Sequence, residues 1–414
     1  MKILLINKFH YMRGGSETYY FALAEALQAK GHTVIFFSME DEKNLPCEQA
    51  KYFVSNVNYN KDMRLGEKIS KTFKLIYSFE AKHNIEKLIA EEKPDIAHIG
   101  LLHRQLTFSV VDALKRNNIP VVMTMHDLIF TCPNYTMLSH GVVCEKCVGR
   151  STLPCIKNKC VKESYPKSIL ASLEAGFLKM GNFYDKIDLY ITECKFYESI
   201  MRRSHVTKSR VITMSNFLPM DQRYVFSKNY ENYILYFGRF SQEKGILTLL
   251  KAHKHLKCKY KLMIVGAGPI ESDLKQYVST NNLNNIAFPG AIYGTKMDEI
   301  IDHARTVIIP SEWNENCPYA LLQSIARGKV VIASRIGGLP ELIEDRKTGF
   351  LFEAGDADDL ARQIDTVMNM DKNTYESLSE FIARRAEENH HWENYIEALL
   401  DEYESLIEKQ RSHT

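Results

Sequence analysis

The sequence predicts an α/β protein with two domains, each built around a parallel β-sheet. Short apolar segments alternate with helical patterns along nearly the whole chain, which is typical of parallel strands joined by crossover helices. At 414 residues the chain is too long for one ordinary core. A polar, strand-poor stretch at 217–232 separates two series of strands and is the best candidate for a linker.

The first series of strands begins at the N-terminus. Its predicted strands are 2–7, 33–38, 95–100, 120–126, 188–192 and 210–215. Helical patterns between them are clearest at 16–30, 66–92 and 105–117. Gly31 supports a helix end after the first of these, because glycine readily follows the last helical residue. The first series therefore predicts an N-terminal domain over residues 1–216.

The second series predicts a C-terminal domain over residues 217–390. Its predicted strands are 233–238, 261–266, 286–288, 306–310 and 330–333. From about Asp356 onward the pattern is helical, and the segment 391–408 has apolar residues close to an amphipathic spacing. Two Rossmann-like domains facing a cleft are the economical architecture for this order of elements.

Composition limits the class of protein. Hydrophobic residues make up 45% of the chain and charged residues 25%, as in globular proteins. No apolar run approaches the roughly 20 residues of a membrane span, and the apolar start at 2–7 is too short for a signal peptide. We therefore expect a cytoplasmic protein. Residues 1–215 hold 30 Lys and Arg against 22 Asp and Glu, which indicates either an anionic partner such as a membrane surface or a solvated basic face.

The most informative motif lies at 310–328. The strand 306–310 runs into a polar loop that contains Glu315, and a helix follows, with Pro318 suited to its first turn and Gly328 to its end. Glu315 therefore lies where open α/β sheets bind ligands, and Gln323 places a second polar group on the helix. The two could bind one elongated polar ligand, although a buried Gln in an apolar helix is also common.

Two glycine-containing loops follow other predicted strands. Gly14 and Gly15 open the first helix, where free amides attract anions, although a plain turn explains two glycines equally well. Arg239 and Lys244 lie on the loop 238–245 between a strand and a helix. Arg can bind a diphosphate with two parallel hydrogen bonds while Lys acts as a point charge, although solvated surface cations are also common.

The arrangement of Glu315 eight residues before Gln323 resembles the donor-sugar motif of retaining glycosyltransferases of the GT-B fold, specifically family four. In that family a Glu occupies the second position, where it addresses the nucleotide ribose, and the first Glu addresses the sugar hydroxyls. The resemblance extends over the chain in the family's order, through Gly14-Gly15, His126 and the Arg239–Lys244 clamp.

The resemblance implies functional residues as well as a fold. It implies that Gly14 and Gly15 line the donor phosphate, that His126 bonds the donor sugar, and that Arg239 and Lys244 clamp the diphosphate. The base would lie near 288–294. With Glu315, the catalytic residues would be His126, Arg239 and Lys244. The residues assigned to donor binding are Gly14, Gly15, Gly266, Gly290, Tyr293, Asn316, Cys317, Pro318, Tyr319 and Gln323.

The implied activity is hexosyl transfer with retention, from a nucleoside diphosphate sugar to a hydroxyl of a glycan or of a polyprenyl-diphosphate-linked acceptor. Such enzymes belong to bacterial surface-polysaccharide synthesis, and the C-terminal helix of the family crosses back onto the first domain. We expect no nucleic-acid partner and a location in the cytoplasm, either free or at the inner face of the membrane. A non-catalytic nucleotide-sugar-binding subunit is the main alternative. A sugar phosphorylase ranks last, because nothing in the sequence indicates a lysine that forms a Schiff base with pyridoxal phosphate.

Two other motifs have simpler interpretations. Gly266-Ala267-Gly268 resembles the opening of a dinucleotide fingerprint, but Glu271 stands at the third glycine position, where an acid would repel pyrophosphate. Asp356-Ala357-Asp358 spells a metal-binding triplet of another transferase class, but it precedes a helix and reads better as a helix start. We therefore expect catalysis without a cofactor or a divalent ion.

Five cysteines fall within 29 residues of the loop region 130–162. Clustered thiols in a cytosolic protein suggest a metal before disulfides, and a structural zinc held by Cys144, Cys147, Cys155 and Cys160 is the first interpretation. Cys132 could be a fifth thiol or the true fourth ligand. Free thiols, disulfides and an iron–sulfur cluster stay open.

An amphipathic helix is predicted from about 166 to 183, directly after the cysteines. Several lysines surround its apolar residues, which are Ile169, Leu170, Leu173, Phe177, Leu178, Met180 and Phe183. Ordinary core packing and a membrane-facing surface both explain this pattern.

Overall fold

The computed structural model describes residues 1–56 and 75–412, and the chain divides into two compact units. Unit 1 contains 1–135, 145–220 and the C-terminal segment from Trp392. Unit 2 contains 136–144 and 221–391. Each unit has a six-stranded, all-parallel sheet, so the predicted α/β class with two Rossmann-like domains is confirmed.

The sheet of unit 1 has the order β2-β1-β3-β4-β7-β8. Its strands are β1 (Lys2–Ile6), β2 (Thr33–Phe37), β3 (Ile96–Ile99), β4 (Val121–Met125), β7 (Leu189–Thr192) and β8 (Arg210–Thr213). All six predicted strands are present. The four inner strands, β1, β3, β4 and β7, are almost wholly buried, which explains their continuous apolar runs, because helices cover both faces of such sheets.

The helices of unit 1 differ from the predictions at several boundaries. They are α1 (Gly15–Ala29), α2 (Phe79–Glu92), α3 (Ser109–Arg116), α4 (Leu153–Lys157), α5 (Tyr165–Met180) and α6 (Lys195–Ser204). The predicted helix 66–92 is wrong at 77–78, because Ser78 caps α2 by accepting a hydrogen bond from the Ala81 amide. Residues 66–74 of that prediction lie outside the described residues.

The C-terminal helix α14 (Trp392–Ser412) packs within unit 1, against α1. The Tyr19 and Tyr395 hydroxyls are 2.8 Å apart, and the Tyr403 hydroxyl hydrogen-bonds His98 of β3. His391 is extended and separates α14 from the preceding helix, so the predicted 391–408 helix begins one residue later. The expected return of the chain to the first domain is confirmed.

The sheet of unit 2 has the order β11-β10-β9-β12-β13-β14. Its strands are β9 (Tyr233–Phe237), β10 (Lys261–Val265), β11 (Ile286–Gly290), β12 (Thr306–Ile309), β13 (Val330–Ser334) and β14 (Gly349–Phe352). The last of these was not predicted, since a four-residue apolar run that starts with glycine is a weak strand signal. Residues 136–144 add a short hairpin, β5 (Leu138–Ser139) with β6 (Val142–Val143).

The helices of unit 2 connect these parallel strands. They are α7 (Ile246–His255), α8 (Glu271–Thr280), α9 (Thr295–His303), α10 (Tyr319–Ala326), α11 (Leu339–Leu342), α12 (Ala357–Met368) and α13 (Lys372–His390). The interpretation of Asp356 as a helix start is confirmed, because its carboxylate accepts hydrogen bonds from the amides of Asp358 and Asp359. Several loops at the carboxyl ends of these strands contain the candidate site residues of unit 2.

Candidate active site

Glu315 lies buried in the loop between β12 and α10, with only 3% of its surface exposed. Lys244 Nζ lies 2.7 Å from Glu315 Oε1, and the Ser311 hydroxyl donates to the same oxygen at 2.6 Å. Burial alone would raise the pKa of Glu315, but the charge of Lys244 and these hydrogen bonds outweigh it and lower the pKa. Glu315 is therefore a buried carboxylate that stays ionised at neutral pH.

The loop 238–245 is tied to the loop that holds Glu315. The Glu312 amide donates to the carbonyl oxygen of Glu243 at 2.8 Å, and the Thr248 hydroxyl donates to the Glu312 carboxylate at 2.6 Å. A Cβ atom at Gly245 would lie 1.7 Å from the carbonyl oxygen of Pro310, and the φ of Gly245 is +65°. Only glycine allows this approach, which brings Lys244 to Glu315.

The loop after β13 supports Glu315 from another direction. The Gly338 amide donates to the carbonyl oxygen of Glu315 at 2.7 Å. A Cβ atom at Gly337, whose φ is +57°, would lie 2.4 Å from that same oxygen. These two glycines therefore fix the backbone of Glu315.

Arg239 lies exposed on the loop that follows β9. The Phe240 amide donates to the carbonyl oxygen of Ala267 at 2.9 Å, and a Cβ atom at Gly266 would lie 1.9 Å from the carbonyl oxygen of Gly238. The glycine-rich turn that resembled a dinucleotide fingerprint therefore packs against the Arg239 loop. Among the described residues, no carboxylate lies within ion-pair distance of the Arg239 guanidinium, so it can meet an anionic ligand.

The remaining predicted residues of the motif at 310–328 lie around the start of α10. Cys317 and Tyr319 are buried, while Asn316 and Pro318 are half-buried, and Asn316 Oδ1 accepts a hydrogen bond from the Cys317 amide at 2.7 Å. Gln323 lies half-buried on α10, and within the described chain its amide makes no protein hydrogen bond. The Gln323 amide is therefore available to a ligand.

Gly290 and Tyr293 lie on and after the edge strand β11. Gly290 has a φ of +85°, and Tyr293 is 83% exposed. No described contact joins either residue to Glu315 or Lys244. The structure thus brings Lys244 and Glu315 together, places Arg239 on the same loop as Lys244, and leaves Tyr293 on the surface.

His126 follows β4 in unit 1, and its partner Glu193 was not predicted. The sheet register pairs Met125 with Thr192, so His126 and Glu193 emerge side by side from adjacent strands. His126 Nδ1 lies 2.5 Å from Glu193 Oε1. Burial would lower the pKa of His126, but the charge of Glu193 outweighs it and raises the pKa. The position of Glu193 directly after a buried strand was a signal that could have identified it.

Gly14 and Gly15 are exposed at the start of α1, as predicted. Glu17, two residues on, is buried, and the Asn7 side-chain amide donates to its carboxylate at 3.4 Å. Burial raises the pKa of Glu17, and the hydrogen bonds from Ser16 and Asn7 only partly oppose that shift. A hydrogen bond therefore connects the first turn of α1 to Asn7, the residue that follows β1.

Three cations of unit 1 lie near these groups and were not predicted. Burial, together with the charges of Arg104 and Arg13, lowers the pKa of Lys8 to about 8. Arg104 lies 4.0 Å from Glu174 of α5, whose burial raises its pKa to about 7. The loops after β1 and β3 therefore hold a basic cluster of three residues, Lys8, Arg13 and Arg104. The carboxyl group of Glu174 lies next to Arg104 of this cluster.

The cysteines are arranged differently from the predicted set. Cys147 and Cys160 pack against the buried Cys155, and all three thiols influence the titration of the buried Cys132. Burial raises the pKa of both Cys132 and Cys155 to about 12. Across the described residues, no three His, Cys, Asp or Glu side chains lie in an arrangement that could already hold a metal ion. Cys144 belongs to unit 2.

Unit 2 thus combines an open α/β fold with a buried carboxylate, a half-buried lysine and an exposed arginine at the strand ends, where such folds bind ligands. Residues 13–222 match glycosyltransferase family 4, and residues 221–385 match the family described as glycosyl transferases group 1. The chain therefore belongs to glycosyltransferase family 4.

Known proteins resemble the chain over most or part of its length. An uncharacterized 42.6 kDa protein in the cps region of Klebsiella pneumoniae is 25% identical over 362 residues, covering 83% of this chain and 87% of that protein. The putative colanic acid biosynthesis glycosyltransferase WcaL of Salmonella typhimurium is 29% identical over 150 residues, 34% of this chain and 37% of that protein. The chain thus spans little more than a third of WcaL.

Solved structures share the fold over nearly the whole chain. Sucrose-phosphate synthase from Thermosynechococcus elongatus has a TM-score of 0.71 at 18% identity, covering 99% of this chain and 100% of that chain. Anabaena HepE in complex with UDP and glucose has a TM-score of 0.67 at 16% identity, covering 98% and 100%. The GT-B fold is therefore confirmed. Within residues 1–56 and 75–412, none of the helices combines the length and apolarity needed to cross a bilayer.

Proposed function

We propose that the chain is a retaining glycosyltransferase, which moves a sugar from a nucleoside diphosphate sugar to a hydroxyl of a glycan or a polyprenyl-diphosphate-linked acceptor in polysaccharide biosynthesis. The observation that carries the proposal is the ion pair between the half-buried Lys244 and the buried Glu315, with the exposed Arg239 on the same loop as Lys244. These three residues of unit 2 supply a carboxylate that can bind sugar hydroxyls and two cations that can bind a diphosphate. HepE, whose fold is similar, was solved with UDP and glucose, which supports this ligand class.

The diphosphate would be held by the loop 238–245. The Arg239 guanidinium can bind two phosphate oxygens in parallel, and Lys244 adds a point charge. The helix α7 starts at Ile246, so its first amides add to the same positive field. These groups can stabilise the charge that develops on the departing diphosphate, which is why we propose catalysis without a divalent ion.

The sugar and the ribose would be held by the loop at Glu315 and by α10. Glu315 is ionised and rigidly supported, so it can accept hydrogen bonds from sugar hydroxyls while it keeps Lys244 in place. Gln323 offers an acceptor oxygen and two donors to the ribose hydroxyls, without the charge of the Glu that the family has there. We assign the base to the region of Gly290 and Tyr293.

The proposed reaction is a displacement on the face of the sugar from which the diphosphate departs. The acceptor oxygen bonds to the anomeric carbon, the bond from that carbon to the phosphate oxygen breaks, and that phosphate oxygen takes the acceptor proton. His126 of unit 1 would bond the sugar, held in one ring orientation by Glu193. The anomeric configuration is kept because both bonds lie on one face.

The setting in polysaccharide biosynthesis is supported by relatives and by unit 1. One relative is encoded in a cps region, and WcaL is described as a putative colanic acid biosynthesis enzyme. The basic cluster of Lys8, Arg13 and Arg104 offers charge for an anionic acceptor. A diphosphate-linked oligosaccharide has that charge next to its sugar hydroxyls.

The test is a transfer assay with UDP- and GDP-sugars, bacterial lipid-linked oligosaccharide as acceptor, and EDTA throughout. We expect a product whose anomeric proton coupling matches that of the donor, and loss of turnover in R239A. K275M, which removes a surface lysine of α8, is the matched control and should leave turnover unchanged. Inversion of configuration, or activity only with a divalent ion, would contradict the mechanism. Donor binding without transfer to any acceptor would support the non-catalytic alternative.

We also propose a structural zinc at the cysteines of 130–162. The proposed ligands are Cys132, Cys147, Cys155 and Cys160, because Cys147 and Cys160 pack against Cys155 and all three thiols act electrostatically on Cys132. Binding would require the four sulfur atoms to move closer together. Metal analysis of purified protein should find about one zinc per chain, lost in C132S and retained in the exposed-site control C258S. Loss in C144S with retention in C132S would restore the predicted set, and no zinc in any form would refute the proposal.

A further inference from the structure

The helix α5 presents a continuous apolar stripe to solvent. Tyr165, Ile169, Leu173, Phe177 and Met180 are between 40% and 81% exposed, although large hydrophobic residues usually lie inside. The first four recur every fourth residue and the fifth falls among them, so the stripe spans about 120° of the helix surface. Apolar residues this regular on one exposed face mark an interaction surface rather than scattered exposure. We call these five residues the α5 stripe.

The opposite face of α5 is anchored in unit 1. Ser168, Ala171, Glu174 and Leu178 are buried, and Glu174 lies 4.0 Å from Arg104 of the basic cluster. The exposed stripe therefore lies on a helix whose other face reaches the loops at the carboxyl ends of β1 and β3. The stripe is a surface of the folded unit, and covering it requires no refolding.

Lysines surround the α5 stripe. Lys157, Lys159, Lys162, Lys167 and Lys179 are all exposed, and Glu163 is the one exposed acid within 153–180 of the described chain. Lys159 lies over the Tyr165 ring at 4.5 Å, and none of the five ammonium groups has an acidic partner within ion-pair distance among the described residues. Leu153, on the adjoining α4, is also 57% exposed. An apolar strip with uncompensated cations at its edges is complementary to an anionic lipid surface.

We propose that the α5 stripe and its lysines dock unit 1 onto an anionic lipid bilayer, with α5 lying in the plane of the interface. The apolar side chains enter the boundary between headgroups and acyl chains, while the lysines meet lipid phosphates. The link to the acceptor rests on the proposed function: docking would present Arg104 and its neighbours to a membrane-bound, diphosphate-linked substrate. Docking itself does not depend on catalysis.

A second copy of the chain is a less favourable occupant for this surface. A two-fold dimer would place the same patch of each chain against the other, so the five lysines would face their own copies across the interface. Like charges in such an interface repel and lose hydration. An anionic bilayer has neither problem, because its charge is opposite and its headgroups stay wet.

The test is cosedimentation of the full chain with vesicles. One set is phosphatidylcholine, and the other is equal parts phosphatidylcholine and phosphatidylglycerol. We expect binding to the anionic set that weakens with salt, and at least about tenfold weaker binding of the triple variant I169Q/L173Q/M180Q. The affinity for anionic vesicles should also fall about fivefold for each lysine that is replaced by Gln. The lysines to replace are Lys157, Lys162, Lys167 and Lys179. V225Q/L247Q removes exposed apolar residues of unit 2 and is the matched control.

Two measurements keep the outcomes separate. Thermal melting of the triple variant should match the unmodified chain, because the changed side chains are exposed. Tryptophan fluorescence of L173W, after subtraction of the unmodified chain, should shift to the blue only with anionic vesicles. Equal vesicle binding by the triple variant and the unmodified chain would overturn the proposal. So would a dimer that the triple variant disrupts without any vesicle binding. Vesicle binding without transferase activity would leave docking intact and refute the proposed function alone.

Discussion

The buried pair between Lys244 and Glu315 gives the sharpest prediction about stability. Replacing Lys244 by Met leaves a carboxylate that is 3% exposed without its cation. Breaking a buried pair by removing one partner costs about 3 kcal/mol, because the remaining charge is desolvated and uncompensated. The pair of Lys275 with Glu271 on α8 has the same 2.7 Å separation, but its side chains are 52% and 33% exposed. K275M should therefore cost at most about 1 kcal/mol.

The assay is urea unfolding of K244M, K275M and the double variant K244M/E315Q. Fluorescence of Trp313 reports this region, because its ring centre is 5.0 Å from Lys244 Nζ. The double variant should recover much of the loss in K244M, since a neutral amide at 315 no longer needs a cation. Equal destabilisation by K244M and K275M would refute the reasoning, and so would a double variant less stable than K244M.

The pH dependence of K244M provides an independent check. In the unmodified chain the lowered pKa of Glu315 means that its contribution to stability is present above the unfolded pKa and is lost as pH falls through the folded pKa. Without Lys244, burial is opposed only by the hydrogen bonds from Ser311 and Trp313, and we expect burial to raise the pKa of Glu315. The contribution of Glu315 to stability then becomes unfavourable at neutral pH. The stability gap between K244M and the unmodified chain should therefore narrow from about pH 7 to about pH 5. A gap that is constant with pH would contradict this account.

Two further predictions concern the surroundings of the site. E193Q should lower the pKa of His126, as measured by histidine NMR, because the negative charge that raises it is gone; an unchanged pKa would show that Glu193 does not control the imidazole. G245A should cost more than about 2 kcal/mol in urea unfolding, whereas G355A, whose φ is +82° and whose Cβ would meet no atom within 4 Å, should cost about 1 kcal/mol. Equal losses would mean that the contact with Pro310 is unimportant.

The sheets were predictable because their strands are buried on both faces and read as apolar runs. The helix boundaries were less predictable from the sequence, since each boundary depends on one or two side chains. Ser78 ends one helical pattern by capping the next helix, and His391 interrupts a long amphipathic segment by adopting an extended conformation. Neither residue type is a reliable signal in sequence.

The strand-end positions of Glu315 and His126 were predictable from the α/β pattern, but their partners were not. Lys244 and Glu315 are 71 residues apart, and no spacing rule joins them. Glu193 becomes the neighbour of His126 only through the register that pairs Met125 with Thr192. Contacts of this kind follow from sheet order, which the sequence left open.

The solvent exposure of apolar side chains could not be predicted from the sequence either. The periodicity of α5 predicted an apolar face but could not decide between the core and the surface. The structure places Leu178 inside, and Leu173 and Met180 outside. In the same way, five clustered cysteines could be divided into several ligand sets, and their spacing did not show that Cys147 and Cys160 pack against Cys155.

The most direct test of the proposed donor site is a calorimetric titration with UDP, with GDP and with NAD, each in EDTA. The account predicts that one nucleoside diphosphate binds with about one site per chain, and that R239A weakens binding at least about tenfold, since a charge-assisted pair of hydrogen bonds is lost. Arg239 is exposed, so this variant should fold normally. Failure of both diphosphates to bind, preferential binding of NAD, or equal affinity in R239A would contradict the account.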